Sequence, residues 1–168
     1  SGNNNDDFIH EQDHNRTMAV TRFGPAYQNW STLFQGSQGG GGGYYSVDHY
    51  TNLILSSGAF TIEFWMKKTA TPSNPMYVIS KGTTSGLGSG VGWTIYTTTN
   101  NGIAFYDGQG NANTTTSGIS LDTDTWYHVA VVRNSTATND TRIYIDGQVY
   151  ANGTSTGNFT DTNTMFIA

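Results

Sequence analysis

The segment Phe60-Thr61-Ile62-Glu63-Phe64-Trp65-Met66-Lys67 alternates strictly, with Phe60, Ile62, Phe64 and Met66 on one side and Thr61, Glu63, Trp65 and Lys67 on the other. Successive side chains of an extended chain point to opposite faces, so this octapeptide can bury one side only as a β-strand lying on a core. Shorter runs of the same kind recur at Tyr44 to Val47, Met76 to Lys81, Trp93 to Thr98, Ile103 to Asp107, Trp126 to Arg133, Thr141 to Asp146, Gln148 to Ala151 and Met165 to Ile167. Clusters of Gly, Asn, Asp and Ser separate them, and no window sustains a helical apolar period for three turns. The expected fold class is all-β: two antiparallel sheets packed as a β-sandwich. Alternation then places Phe60, Ile62, Phe64, Val129, Val131, Ile143 and Ile145 between the sheets. Glu63 is expected beside Lys81 on a neighbouring strand.

Turn chemistry agrees with this reading. Asn101-Gly102 and Asp146-Gly147 each join two strand-like runs and tolerate the positive φ that tight hairpins need. Asn134 to Asp140 reads as a longer loop, Gly39 to Gly43 is an unbroken glycine run, and Ser1 to His14 is polar and without period, an arm outside the core. A chain of 168 residues suits one domain, able to bury about 70% of its unfolded surface.

Charge narrows the functions. Only 11% of residues are charged, the net charge is −5, and 7 Lys and Arg cannot neutralise a run of phosphates, which argues against nucleic acid and acidic membranes as partners. With no Cys, disulfides, thiolate zinc sites and Cys nucleophiles are excluded. No stretch approaches the ~18 consecutive apolar residues of a spanning helix.

Several patterns carry chemistry on paper. His10-Glu11-Gln12-Asp13-His14 matches H-E-x-x-H, in which two imidazoles one helical turn apart bind zinc. Its flanks, Asn3-Asn4-Asn5 and Asn15-Arg16, give no apolar stripe to hold a helix, so a solvated arm is the preferred reading. Gly86-Leu87-Gly88-Ser89-Gly90-Val91-Gly92 precedes a strand where a phosphate-cradling loop must open a helix. Glycoside hydrolysis needs paired carboxylates. Glu11 and Glu63 are the only glutamates, and Trp65 stands two residues after Glu63. His128 lies inside a strand with no Ser in a nucleophile elbow, and His49 reads as a rim residue. Asn15, Asn29, Asn113, Asn134, Asn139, Asn152 and Asn158 each open an N-x-S/T sequon, little more than composition gives.

The strand order and the residues on it resemble the laminin G-like jelly roll of the concanavalin A-like lectin and glucanase superfamily. The resemblance is carried by Gly58-Ala59-Phe60-Thr61-Ile62-Glu63-Phe64-Trp65-Met66-Lys67, Val78-Ile79-Ser80-Lys81-Gly82, Gly92-Trp93-Thr94-Ile95-Tyr96, Asp124-Thr125-Trp126-Tyr127-His128-Val129-Ala130-Val131 and Ile143-Tyr144-Ile145-Asp146-Gly147-Gln148-Val149. It spans roughly residues 33 to 168 and implies an arm over 1–16 followed by a jelly-roll domain over 17–168. The glycine run replaces an expected short loop between Gly36 and Tyr44. The family also continues past a strand like Met165-Phe166-Ile167 into a final strand rich in Ile, Asp and Arg, which this sequence does not contain. Two expectations follow. Either the sequence is a fragment of a longer polypeptide, favoured because domain boundaries rarely fall inside a sandwich, or Met18 to Phe23 of the same or an adjacent subunit fills the gap.

The function implied is non-catalytic adhesion or recognition, of glycans, on an extracellular, cell or virion surface. The rival is a structural subunit of a virion or surface filament that binds only protein, as a homo-oligomer or larger assembly. For the ligand, Asp107-Gly108-Gln109-Gly110-Asn111-Ala112-Asn113 gathers oxygen donors after a strand, and Trp93 and Tyr106 lie close in sequence. Polar oxygens beside aromatics are what sugars need, so Trp93, Tyr106, Asp107, Asn111 and Asn113 form the expected site. No cofactor is required; a weak calcium contact at Asp107 is a metal option, and an enzyme survives only through zinc at the arm's His10-Glu11-Gln12-Asp13-His14.

Overall fold

A computed structural model describes residues 19–23, 29–34, 43–82, 92–110 and 112–168. The strands among them are β1 (Ala19–Phe23), β2 (Asn29–Leu33), β3 (Tyr45–Val47), β4 (Phe60–Lys67), β5 (Met76–Lys81), β6 (Trp93–Thr97), β7 (Ile103–Asp107), β8 (Ala112–Thr115), β9 (Trp126–Arg133), β10 (Thr141–Ile145), β11 (Gln148–Gly153) and β12 (Met165–Ile167), with one 3-10 turn at Thr51–Leu53. All pairings are antiparallel. A six-stranded sheet runs β3-β12-β5-β6-β7-β8 and faces a four-stranded sheet, β11-β10-β9-β4. The chain is therefore the two-layered all-β sandwich that the alternation implied.

The core is the set of inward positions. Ile79, Trp93, Ile95, Ile103 and Phe105 of the larger sheet meet Phe60, Val129, Val131, Ile143 and Ile145 of the smaller, with Leu121 and Phe159 closing the ends. Ile62, Phe64 and Met66 pack against this cluster but are only half-buried, on a strand that among the described residues pairs on one side alone, to β9. The turns follow their chemistry. Asp146 and Gly147 take φ of 49° and 80° between β10 and β11, and Asn101 takes 59° between β6 and β7. Gly92 opens β6 where a Cβ would stand 2.1 Å from the Lys81 carbonyl oxygen, so no other residue fits there without moving the backbone.

A polar knot is set into this core. Arg133, fully buried at the end of β9, stacks between Phe60 and Phe159, with its guanidinium carbon 4.7 and 4.9 Å from the ring centres. It donates to the carbonyls of Ser56, Gly58 and Gly157 and to Ser155 Oγ. Burial pushes its pKa down, and the Asp107 carboxylate pulls it back up. A buried guanidinium is tolerable here because hydrogen bonds and a nearby anion replace its hydration.

Two sequence expectations are corrected. Glu63 does not neighbour Lys81: β4 and β5 follow each other in the chain but lie in opposite sheets, and Glu63 pairs across the ladder with Ala130 of β9. The chain crosses between layers at that point, which alternation alone cannot reveal. Lys81 is buried instead, its ammonium 2.6 Å from the Asn163 carbonyl oxygen, with burial lowering its pKa against the opposing pull of Asp161. Ala112 and Asn113, expected in an oxygen-rich loop running from Asp107 to Asn113, instead open strand β8, held by backbone pairing to β7 although it offers no large apolar side chain. Ala19–Phe23 pairs with Asn29–Leu33 in a hairpin of its own and with no sandwich edge among the described pairings. The hairpin touches β3 through Thr32 Oγ1, 3.2 Å from the Tyr45 hydroxyl, and through Phe34, edge-on to Tyr45.

Candidate functional site

The five residues expected to form one site are divided by the pleat. Trp93 and Asp107 stand opposite each other in the β6–β7 ladder, and both point inward. Trp93 is 4% exposed and packs 6.5 Å from Phe105. Asp107 is completely buried. Its Oδ1 accepts the backbone N–H groups of Gln109 and Gly110 at 3.0 and 2.7 Å, and its Oδ2 accepts Ser155 Oγ and the Gly157 N–H, both at 2.8 Å. These four bonds use about all the lone-pair sites of a carboxylate. Asp107 is thus a clamp holding the turn after β7 against the segment leading to Phe159. Tyr106 and Asn113 stand opposite each other on the outer face of the six-stranded sheet. Asn111 lies outside the described residues, as does His10 to His14. Among the described residues no group of three or more His, Asp or Glu gathers around a metal position.

On that outer face Tyr77, Tyr96, Ala104 and Thr115 form one cross-strand row and Ser80, Thr94, Tyr106 and Asn113 the next. The Tyr96 hydroxyl donates to Asn113 Oδ1 at 3.1 Å. Burial, and then the Tyr77 and Tyr106 hydroxyls, push the Tyr96 phenol above its ordinary range. Tyr96, Ala104 and Tyr106 are buried, so the middle of this face offers little area to a ligand.

The outer face of the four-stranded sheet is different. Inward positions of β4 and β9 are apolar, so Glu63, Trp65 and Lys67 of β4 and Trp126, His128 and Ala130 of β9 must project outward, and the register sets Glu63 against Ala130, Trp65 against His128 and Lys67 against Trp126. Trp65 is 58% exposed, which is unusual for the largest apolar side chain. Its ring centre lies 5.3 Å from that of His128, whose Nε2 is 3.6 Å from Glu63 Oε2. The His128 backbone is fixed from the adjacent hairpin, its N–H donating to Asp146 Oδ1 at 2.8 Å. Lys67 sits over the Trp126 ring at 5.8 Å. Tyr144 of β10 faces Ala130 from the other side, and Val149 of β11, next in the row, is exposed. An indole face, a carboxylate, an imidazole and a phenol are thus carried together on rigid paired strands. Such a surface can stack on a flat, weakly polar ring and hydrogen-bond its edge. Sequence reasoning put Trp65 on the outward side of β4 but passed over it, because His128 and Tyr144 join it only through cross-strand pairing.

The chain belongs to the laminin G-like family (Laminin_G_3) of the concanavalin A-like lectin/glucanases superfamily, whose model matches residues 39–168. Among solved structures it is similar to a native heptameric SAP-like pentraxin from Limulus polyphemus, with 17% identity and a TM-score of 0.56 over 80% of this chain and 61% of that one. It is also similar to the binding domain of botulinum neurotoxin DC in complex with SialylT, with 18% identity and a TM-score of 0.59 over 89% of this chain and 37% of that one. The chain therefore spans less than two thirds of either structure, and at these identities the likeness is one of fold. No curated protein matches it. Among the described residues no helix is long and apolar enough to cross a membrane.

Proposed function

We propose that this chain is a non-catalytic recognition domain that binds glycans through the outer face of its four-stranded sheet and works on an extracellular, cell or particle surface. The observation that carries the proposal is the exposed Trp65 indole, fixed on β4 beside His128 and Glu63. The C–H face of a sugar ring stacks on indole, and its hydroxyls need nearby acceptors and donors. Family membership supports the reading, as does the sugar complex named for the toxin binding domain. Glu63 has no second carboxylate beside it in its ladder row, where it meets Ala130, or at the next outward position, which is Trp65. A hydrolase needs two carboxyl groups about 5 to 9.5 Å apart across its substrate.

The test is a glycan array probed with the intact chain and with Trp65→Ala. Binding to a defined subset by the parent, lost in the variant while its melting temperature is unchanged, is the expected result. A flat array with a folded protein would favour the rival, a structural subunit that binds only other proteins.

A further inference from the structure

We propose that β4 is the contact strand of a homodimer: its outer edge pairs antiparallel with the same strand of a second copy, across a two-fold axis at Trp65. Two four-stranded sheets then become one continuous sheet. The sandwich is closed at its other side, where the Ser117 N–H after β8 donates to the Tyr150 carbonyl of β11 at 3.0 Å. On the near side the six-stranded sheet ends in β3, three residues long and touched at Tyr45 by Thr32 and Phe34. β4 is different. It runs eight residues in unbroken register with β9, contains no Pro, and has no second neighbour among the described residues. Such an edge leaves a row of backbone donors and acceptors open to another strand. Its inward residues Ile62, Phe64 and Met66 are half-buried, so a strand added there also covers apolar area.

The sequence of β4 selects a second copy and fixes the register. Residues directly opposite in an antiparallel pair share a face, so a joined sheet that keeps both cores on one side must set inward residues against inward ones. The two-fold axis therefore passes through a residue. Centred on Trp65, the pairing sets Glu63 of each copy against Lys67 of the other, twice by symmetry, and Phe64 against Met66 on the inward side. Centred on Glu63 it would oppose two carboxylates, and centred on Ile62, Phe64 or Met66 it leaves neither charge facing its opposite. The contacts already on this face permit the pairing. His128 Nε2 is 3.6 Å from Glu63 Oε2, but it approaches from β9, away from the edge, and a carboxylate has acceptor sites on both oxygens. Lys67 stands 5.8 Å from the Trp126 ring centre, near the limit of a cation–π contact, so turning toward a carboxylate across the edge costs little. The Trp65 ring also leans toward β9, 5.3 Å from His128, which lets two copies of it flank the axis.

The experiment is sedimentation velocity on the intact chain over concentrations reaching the millimolar. Glu63→Lys, Lys67→Glu, the double reversal and an equal mixture of the two single variants are run alongside. Both positions are exposed, and melting curves check that each variant folds. The parent should show a monomer–dimer equilibrium. Each single reversal opposes like charges twice and should weaken self-association about tenfold or more. In the mixture the new lysine faces the new glutamate while Lys67 of one variant faces Glu63 of the other, so heterodimers should form about as tightly as the parent dimer. The double reversal should likewise restore the homodimer. A parent that stays monomeric throughout overturns the inference. So does a mixture no tighter than either variant alone, or association indifferent to both reversals, as a neighbour's Ala19–Phe23 hairpin docked on β4 would give. None of these outcomes bears on the glycan reading, which stands or falls with Trp65→Ala on the array.

Discussion

Replacing Asp107 by Ala should unfold much of what the sandwich gains from its second half, because this carboxylate is a clamp and not a ligand contact. The substitution removes the acceptor of four hydrogen bonds and the anion whose charge supports the buried Arg133, to which it is linked through Ser155 Oγ. Hydrogen bonds to a charged group contribute about 1.5 to 3 kcal/mol each, but four such terms are not additive in one cluster. Removing one side of a buried charge pair costs about 3 to 5 kcal/mol, and we take that as the expected loss. For a domain of this size it lowers the melting temperature by roughly 6 to 20 °C. Urea unfolding monitored by fluorescence should show a lower midpoint at unchanged slope. Asp107→Asn should lose less, because one oxygen still accepts from Gln109 and Gly110, although its amide then opposes the Gly157 N–H. In a double-mutant cycle, Arg133→Met should cost less in the Asp107→Ala background than alone. A loss below about 1 kcal/mol for Asp107→Ala, or additive effects in the cycle, would refute the clamp.

Other outcomes follow from the same geometry. Phe105→Ala, which empties a fully buried site in contact with Phe60, Phe159 and Trp93, should cost about 3 to 5 kcal/mol, while Phe64→Ala, half-buried on the singly paired strand, should cost clearly less by chemical denaturation. Gly92→Ala should prevent folding or shift the β5–β6 backbone, visible as lost near-ultraviolet dichroism, because its new methyl would collide with the Lys81 carbonyl. The Asp140 carboxyl is held below its usual range first by the Ser135 hydroxyl, then by Asn134 and Arg142. A depressed acid contributes stability above its unfolded pKa and loses it as pH falls through the folded value, so the 134–140 loop should loosen only below about pH 4. In an NMR titration Ser135→Ala should move the Asp140 midpoint up toward the ordinary value.

The strands of this fold were legible wherever a large apolar side chain recurred every second residue. Phe60–Lys67, Met76–Lys81, Ile103–Asp107, Trp126–Arg133 and Met165–Ile167 end where the alternation ends. Ala112–Thr115 and Asn29–Leu33 were missed because backbone pairing, not apolar alternation, defines them. Sheet membership was not legible. Glu63 and Lys81 illustrate this, since two adjacent strand signals can lie beside each other or across the core with the same pattern. The expected site failed to come together for a related reason: Tyr106 and Asp107 are neighbours in sequence, and the pleat sends one outward and the other into the core. The surface that does assemble draws Glu63 and Trp65, His128 and Ala130, and Tyr144 from three strands spread over eighty residues. Its one local signal was a tryptophan on the side of β4 that alternation assigns to solvent.

The central claim is that this outward sheet face binds sugar, and amide chemical-shift mapping with the strongest array ligand tests it most directly. Titration of the labelled chain should move the Trp65 indole N–H and the backbone amides of Glu63, His128, Ala130 and Tyr144, while Tyr77, Tyr96, Tyr106 and Asn113 on the opposite face stay still. Shifts confined to Tyr77 through Asn113, or to the turn that Asp107 clamps, would contradict the account.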